Sequence, residues 1–168
     1  MSGQAFAFLY PVALIVAAIS DVLSLRIPNW ISVLLAVWFV VYGLVVGLSI
    51  SVIALRLGLG ACVFVTGFLI YNFGMIGGGD VKLIAVSAIW VGWPNLVVFL
   101  LLIAIFGGVL AAAVLIFRKM PVPVPNWLLE RGWYTRLTTE GQGIPYGLAI
   151  CAAGIFTFPN TLAGLVAG

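Results

Sequence analysis

The sequence predicts an all-α membrane protein, a single domain over residues 1–168 that folds as a bundle of six transmembrane helices. Two features of the composition predict this class. Apolar residues make up 65% of the 168 residues, whereas soluble globular domains contain about 45–50%. Charged residues make up 7%, against about 25% in a typical chain. This number of charged residues is too small to cover the surface of a water-soluble protein of this size. Most of the surface is therefore expected to face lipid.

Six apolar runs are interpreted as membrane helices, because about 20 helical residues cross the hydrocarbon core of a bilayer. They lie at about 5–25, 30–50, 53–73, 81–94, 95–117 and 143–166. The fourth run is short, and the sequence Trp93-Pro94-Asn95 predicts a turn before the fifth. Trp90 and Trp93 are expected at the membrane–water interface there. Segment 118–142 is the one sizeable polar stretch, and its PVPVPN portion is predicted to be extended.

The distribution of Lys and Arg predicts the orientation, because cytoplasmic segments carry an excess of both residues. With the N-terminus outside, only Arg56 falls toward the outer side. The other six cations lie toward the inner side: Arg26, Lys82, Arg118, Lys119, Arg131 and Arg136. We therefore expect an N-out, C-out protein of the cytoplasmic (inner) membrane, with a cytoplasmic loop at 118–142. The apolar runs make the lipid bilayer an expected partner. Nucleic acid is not expected as a partner, because the cations are not clustered.

The chain contains no histidine, and its two cysteines, Cys62 and Cys151, stand alone in apolar runs. Neither cysteine belongs to a C-x-x-C pair, so both are interpreted as small core residues. We therefore expect no metal site and no cofactor.

Two of the four acidic residues, Asp21 and Asp80, are candidates for chemistry. Each stands at the edge of an apolar helix, where a charge is costly unless it faces protein or water. The first helix runs inward and the fourth runs outward, so both aspartates are predicted at the same depth on the cytoplasmic side. Two carboxyls that meet retain one proton between them. Such a pair titrates as a unit and can activate water for hydrolysis, as in aspartic proteases.

Three irregular stretches are predicted around this pair. Gly77, Gly78 and Gly79 precede Asp80, and their backbone is open to close approach by another chain. The Ile27-Pro28-Asn29 sequence ends the first helix, and Gly143-Ile144-Pro145-Tyr146-Gly147 opens the last one. Irregular backbone at membrane depth is tolerated where protein or water satisfies it, so the three stretches predict a wet cavity lined by protein.

These residues resemble a known family. The GGGDVKL run from Gly77 to Leu83 is similar to the G-x-G-D pattern of membrane aspartyl proteases. Asp21 followed by Ile27-Pro28-Asn29 resembles the other half of the pattern in type IV prepilin peptidases. The Ile144-Pro145-Tyr146-Gly147 sequence is similar to a third family segment, although Leu148 stands where many relatives have a second proline.

The resemblance implies an aspartic endopeptidase with Asp21 and Asp80 as catalytic residues. Its protein substrate would be a type IV prepilin-like precursor (Flp/tight-adherence or related), cut at the cytoplasmic membrane face after a leader glycine and just before the apolar stretch. It also implies a short, peptidase-only form without the methyltransferase part. The residues expected to bind substrate or shape the site are Gly77, Gly78, Gly79, Lys82, Pro28, Asn29, Pro145, Tyr146 and Gly147.

Simpler roles remain open for the same residues. Asp80 is a plausible N-cap that accepts bonds from the backbone of Lys82 or Leu83, and Asp21 is a plausible ion-pair partner of Arg26. Lys82 is interpreted as a membrane anchor, as a residue that orients Asp80, or as one that meets an acidic residue of the substrate. At the level of function, the alternatives are a small membrane transporter with an ion site and a non-enzymatic scaffold of a pilus or secretion machine.

Overall fold

A computed structural model describes residues 6–119, 132–139 and 143–167 of the protein, and most of these residues are helical. Within them no strand is found, so the predicted all-α class is confirmed there. The helices are α1 (Leu9–Ser24), α2 (Asn29–Val46), α3 (Ile50–Asn72), α4 (Gly78–Val91), α5 (Trp93–Lys119), α6 (Gly132–Thr138) and α7 (Gly147–Ala167). A helix lies over each of the six apolar runs, with ends that differ from the predicted ones by at most four residues.

Helix α6 lies inside the predicted loop 118–142. Arginines attach it to the bundle: Arg118 Nε donates to the carbonyl of Leu137 at 2.8 Å, and Arg136 Nη1 donates to the carbonyl of Leu23 at 3.2 Å. The predicted extended PVPVPN portion, together with Arg131, lies outside the described residues.

Several helices have the length and composition of membrane spans. In the described ranges α2, α3 and α5 are long and apolar enough to cross a bilayer, and α1 and the first part of α7 are shorter apolar helices. Large apolar side chains such as Val45, Leu55 and Val109 are exposed on these helices. An apolar exterior of this extent is stable in lipid rather than in water, which agrees with a membrane protein.

Helix α4 forms the centre of the bundle and contacts α2, α3, α5 and α7. Its residues from Ala85 to Val91 are all buried. The fully buried Trp90 stacks on Tyr10 of α1 at 5.2 Å between ring centroids and meets Phe39 of α2 edge-on at 5.5 Å. The expectation that Trp90 lies in an interfacial belt was wrong, because its indole N–H bonds the backbone carbonyl of Leu35 at 3.0 Å inside the core. Trp93 is exposed, as such a belt requires.

An arginine from the neighbouring helix hydrogen-bonds a backbone carbonyl at the C-terminal end of α4. Arg56 of α3 donates from Nη1 to the carbonyl of Trp90 at 2.7 Å. This bond pairs a carbonyl that the end of a helix otherwise leaves free, and the cation also suits the negative end of the helix dipole. Gly92, at φ +73°, lies directly against the guanidinium, where a Cβ would come within 2.8 Å of it. Arg56 therefore stabilises the end of the central helix.

Glycines allow α3 and α4 to pack closely. A Cβ on Gly60 would lie 2.4 Å from Ile89 Cγ1 and 3.1 Å from the carbonyl oxygen of Ala85. A Cβ on Gly67 would lie 2.8 Å from Val81 Cγ1. Small residues at helix contacts let two backbones approach closely within a membrane. This packing sets the position of α4, and with it the position of Asp80.

We predict that Gly60→Ala destabilises the protein whereas Gly58→Ala, on the same helix, does not. The new methyl group at position 60 meets Ile89 and the α4 backbone, and overpacking of this kind costs about 1–3 kcal/mol. At position 58 nothing lies within 4 Å of the added Cβ, so the higher helix propensity of alanine is the main effect and favours folding by up to about 1 kcal/mol. Thermal unfolding in detergent measures both; equal melting temperatures would contradict the packing argument.

Candidate active site

Asp21 lies near the C-terminal end of α1, and its side chain is buried. The helix ends four residues later at Leu25, which has the left-handed conformation, φ 51° and ψ 34°, and donates its N–H to the carbonyl of Asp21 at 2.7 Å. A left-handed conformation is unfavourable for a residue with a Cβ. It reverses the chain sharply here, so that Ile27 and Asn29 return to the face where Asp21 lies.

The carboxylate of Asp21 is held by the start of the last helix. Its Oδ2 atom accepts a hydrogen bond of 2.7 Å from the backbone N–H of Gly147, the first residue of α7. The N-terminus of a helix favours a negative charge, because its first N–H groups are free and the helix dipole is positive there. No ion pair between Asp21 and Arg26 is found among the described residues, so the simpler role proposed for Asp21 is not observed.

Asp80 lies in the first turn of α4, at the third residue of the helix. Its Oδ2 atom turns back toward Gly77, the N-cap residue, and lies 2.7 Å from the position that a Cβ would take there. This is the position of the acidic residue in a capping box, where the side chain faces the start of its own helix. The expectation that Asp80 is itself the N-cap, bonded to Lys82 or Leu83, was wrong because the helix begins earlier than predicted. Both aspartates therefore lie against the start of a helix.

The three glycines before Asp80 each lie against a different neighbour. A Cβ on Gly77 would lie 2.7 Å from Asp80 Oδ2, and one on Gly79 would lie 3.1 Å from Ile27 Cβ. A Cβ on Gly78 would meet the ring of Tyr71 at 3.4 Å. The absence of side chains lets Asp80 fold back onto its own N-cap and lets the segment after α1 pack on the start of α4.

One cavity brings these parts together. It has a volume of about 270 Å³ and is lined by the predicted site residues Asp21, Asn29, Gly77, Gly78, Gly79 and Asp80, together with Leu25, Arg26 and Ile27. The two carboxylates are close enough to repel each other electrostatically. Asp21 and Asp80 are 59 positions apart along the chain, since 80 − 21 = 59. Two neighbouring carboxyls of this kind favour a state in which one of them keeps its proton.

The lining of this cavity does not include the other predicted site residues, which are Lys82, Pro28, Pro145, Tyr146 and Gly147. Lys82 Nζ donates to Asn29 Oδ1 at 2.8 Å, so it joins α4 to the start of α2, and no ion pair with Asp80 is found in the described part of the chain. Pro28 is the N-cap residue of α2 and holds Asn29 at the cavity wall. Pro145 is buried before α7, and Tyr146 lies against Gly107 of α5, where a Cβ would come 2.9 Å from its Cε1.

Sequence reasoning named Arg26 only as a cation and a possible partner of Asp21, but Arg26 lines the cavity. Arg26 and Arg136 also line an adjoining cavity of about 530 Å³ with Ser24 and Leu25. The D-x(5)-I-P-N spacing was the available signal for this segment, since it predicts a turn next to Asp21. It does not reveal that Arg136, from α6, meets the same turn.

Comparison with known proteins addresses what this site does. The model of the type IV leader peptidase family matches residues 8–112. The chain belongs to the type IV leader peptidase family. The match includes both aspartates, the three glycines and the Ile27-Pro28-Asn29 turn, whereas Gly147 lies beyond it. No curated protein and no solved structure matches the chain.

Membership of the type IV leader peptidase family gives the site its class of chemistry. A leader peptidase hydrolyses a peptide bond in a protein substrate, so the cavity is the candidate active site of a peptidase. The resemblance found in the sequence is thereby confirmed at the level of the family. Helix α7 lies beyond the matched residues 8–112, but Gly147 at its start donates a hydrogen bond to Asp21 inside them. The candidate site therefore includes a residue that the family match does not cover.

We predict that Gly147→Ala lowers the activity of this leader peptidase about 100-fold, the scale of loss expected from a displacement of about 1 Å in a reacting group. A Cβ at position 147 would lie 2.9 Å from Asp21 Oδ2 and 3.0 Å from Asp21 Cβ, so the carboxyl must move. Gly143→Ala is the matched control in the same segment, because its Cβ would meet only Leu25 Cδ1, at 3.9 Å. Cleavage rates of both purified variants test this; equal rates would show that the contact with Gly147 does not position Asp21.

Proposed function

We propose that this protein is a membrane-embedded aspartic endopeptidase that removes leader peptides from type IV prepilin-like precursors at the cytoplasmic membrane face. The observation that carries the proposal is the pair Asp21 and Asp80 in one cavity of a type IV leader peptidase family member. A scaffold has no need of two neighbouring acids, of which one is buried and the other half-buried. An ion transporter would more usually hold its acids near the bilayer midplane, whereas these lie at the ends of apolar helices.

The chemistry follows from the shared proton. The ionised carboxylate takes a proton from a water molecule as the water oxygen attacks the carbonyl carbon of the scissile bond. The protonated carboxyl donates its proton to the carbonyl oxygen, which would otherwise become an anion. The tetrahedral intermediate then collapses: the aspartate that took the water proton gives it to the leaving nitrogen, the other aspartate takes a proton from a hydroxyl of the intermediate, and the carbon–nitrogen bond breaks. Both aspartates return to their starting states with one proton between them.

The glycine segment is suited to an extended substrate. A peptide bond inside a helix is protected by the helical hydrogen bonds, so the scissile segment must unwind before cleavage. A glycine at the cut lowers the cost of unwinding by about 1 kcal/mol relative to alanine. Gly77, Gly78 and Gly79 line the cavity without side chains, which lets the unwound substrate backbone approach Asp80 closely.

The arrangement of charges supports the N-out, C-out orientation with six spans. Arg26 and Arg136 line one cavity beside Asp21 and Asp80. Arg56 contacts the opposite end of α4, about 21 Å away for a helix of this length. Because cytoplasmic segments are enriched in arginine and lysine, the cavity with the aspartates is assigned to the cytoplasmic side.

We predict that Asp21→Asn and Asp80→Asn each abolish cleavage of a co-expressed precursor while the protein stays folded. Asparagine has nearly the same size and shape and keeps an oxygen, which at position 21 still accepts the N–H of Gly147, but it does not take up the proton of the attacking water. Immunoblotting of precursor and mature pilin measures cleavage, and thermal unfolding in detergent controls for folding. Complete processing by either variant would refute the two-aspartate mechanism.

We predict opposite membrane sides for two exposed residues, Ile50 at the start of α3 and Met75 just after its end. In a background with Cys62 and Cys151 replaced by alanine, Met75→Cys should be labelled by an impermeant maleimide only after the cytoplasmic side is opened. Ile50→Cys should be labelled in intact cells. The two side chains are matched in exposure, at 78% and 79%, so a difference in labelling reports the side of the membrane. Labelling of both from the same side would overturn the topology.

A further inference from the structure

An apolar groove lies between α2 and α3 and faces the outside of the bundle. The two helices follow each other in the chain, yet each packs on α4 and they scarcely pack on each other. The gap between them has a volume of about 440 Å³, with Ala36 on one wall, Ala61 and Phe64 on the other, and Ala85 and Ile89 on the floor. Most of the surface of α2 and α3 is exposed, so this groove opens toward the hydrocarbon of the bilayer.

The groove adjoins the candidate active site. Asn29 lines both the groove and the cavity that holds Asp21 and Asp80. Lys82, bonded to Asn29, lines the groove two residues after Asp80. From Lys82 to Ile89 the floor extends about 10 Å along α4. A polypeptide that leaves the cavity at Asn29 therefore enters the groove.

The polar groups of the groove lie near the end that adjoins the cavity. They are Asn29, Lys82 and Ser32, and the Ser32 Oγ atom is buried without a hydrogen-bond partner in the described part of the chain. The N-terminus of a helix brings free N–H groups that need acceptors. Asn29 Oδ1 lies at this end of the groove and accepts one bond, from Lys82, so its second lone pair is open to such a donor. An acyl chain of a lipid has no donor to offer there.

We propose that this groove binds the apolar stem helix of the protein substrate, with the N-terminal end of the stem at Asn29 and Ser32 and the scissile bond in the adjoining cavity. The inference rests on the proposed function, and it assigns to the enzyme a binding site for the part of the substrate beyond the cut. The small side chains of Ala36, Ala61 and Ala85 allow a helix to approach closely, as at other helix contacts in membranes. A lipid acyl chain is the competing occupant.

Ala61→Trp tests the groove, because it fills the groove from an exposed position on α3 without touching the aspartates. Ala104→Trp, at an exposed position of α5 that lines no described cavity, is the matched control. Each variant is assayed on a full precursor in vesicles and on a short peptide that spans the cleavage site but lacks the stem. For Ala61→Trp we expect KM for the full precursor to rise about tenfold with kcat unchanged, the pattern of lost substrate binding. Cleavage of the short peptide and all rates of Ala104→Trp should match the wild type.

The results separate the two proposals. If the wild-type protein cleaves neither substrate, the proposed function fails and this inference fails with it. If the wild type cleaves both and Ala61→Trp has the wild-type KM for the precursor, only the groove assignment is overturned. If Ala61→Trp lowers cleavage of the full precursor and of the short peptide equally, the groove does not bind the stem specifically, and the assignment is again overturned.

Crosslinking identifies the occupant without relying on cleavage. A benzoylphenylalanine at position 61 in the Asp80→Asn protein should form an adduct with the stem of the co-expressed precursor, and the same group at position 104 should not. Adducts with lipid alone at position 61, or equal precursor adducts at both positions, would overturn the proposal.

Discussion

The placement of two carboxyls beside each other in one cavity is the constraint around which this protein is organised. A carboxylate is costly in an apolar interior, and a second one adds repulsion. The starts of two helices lie against these groups: Gly147, which begins α7, donates to Asp21 Oδ2, and Asp80 lies in the first turn of α4 beside the N-cap residue Gly77. Each helix start brings free N–H groups and the positive end of a helix dipole to a carboxyl. In the proposed mechanism these backbone groups, which do not titrate, position the two acids and leave the proton that they share available for chemistry.

Helix α4 transmits this constraint to the rest of the bundle. It is buried at the centre, and Asp80 at its start can meet Asp21 only if the whole helix is correctly placed. Close contacts at Gly60 and Gly67 set its distance from α3. Arg56 and the buried Trp90 fix its other end. A helix of 14 residues is short for a membrane span, and polar partners at both ends satisfy the backbone groups that lipid would leave unpaired.

The candidate active-site cavity and the groove have different physical characters, which would suit the two parts of the proposed substrate. The cavity is lined by two carboxyls, Arg26 and glycine backbone, so it suits an extended peptide and a water molecule. The groove is apolar and lined by small side chains, so it suits a helix in the bilayer. Asn29 and Lys82 lie where the two meet, at the point where a helical substrate would have to unwind.

The sequence by itself determined the membrane setting, the helical class, the approximate helix ends and the candidate acids. These depend on composition, on runs of apolar residues and on a few prolines and glycines, all of which act locally along the chain. Tertiary structure alone decided the partners. Trp90 is buried rather than interfacial, and Asp80 lies in the first turn of α4 rather than serving as its N-cap. Asp21 accepts a bond from Gly147 rather than pairing with Arg26, and Lys82 bonds Asn29. Such contacts join segments far apart in the chain, and they depend on the angles and distances at which helices pack, which no local pattern of residues specifies.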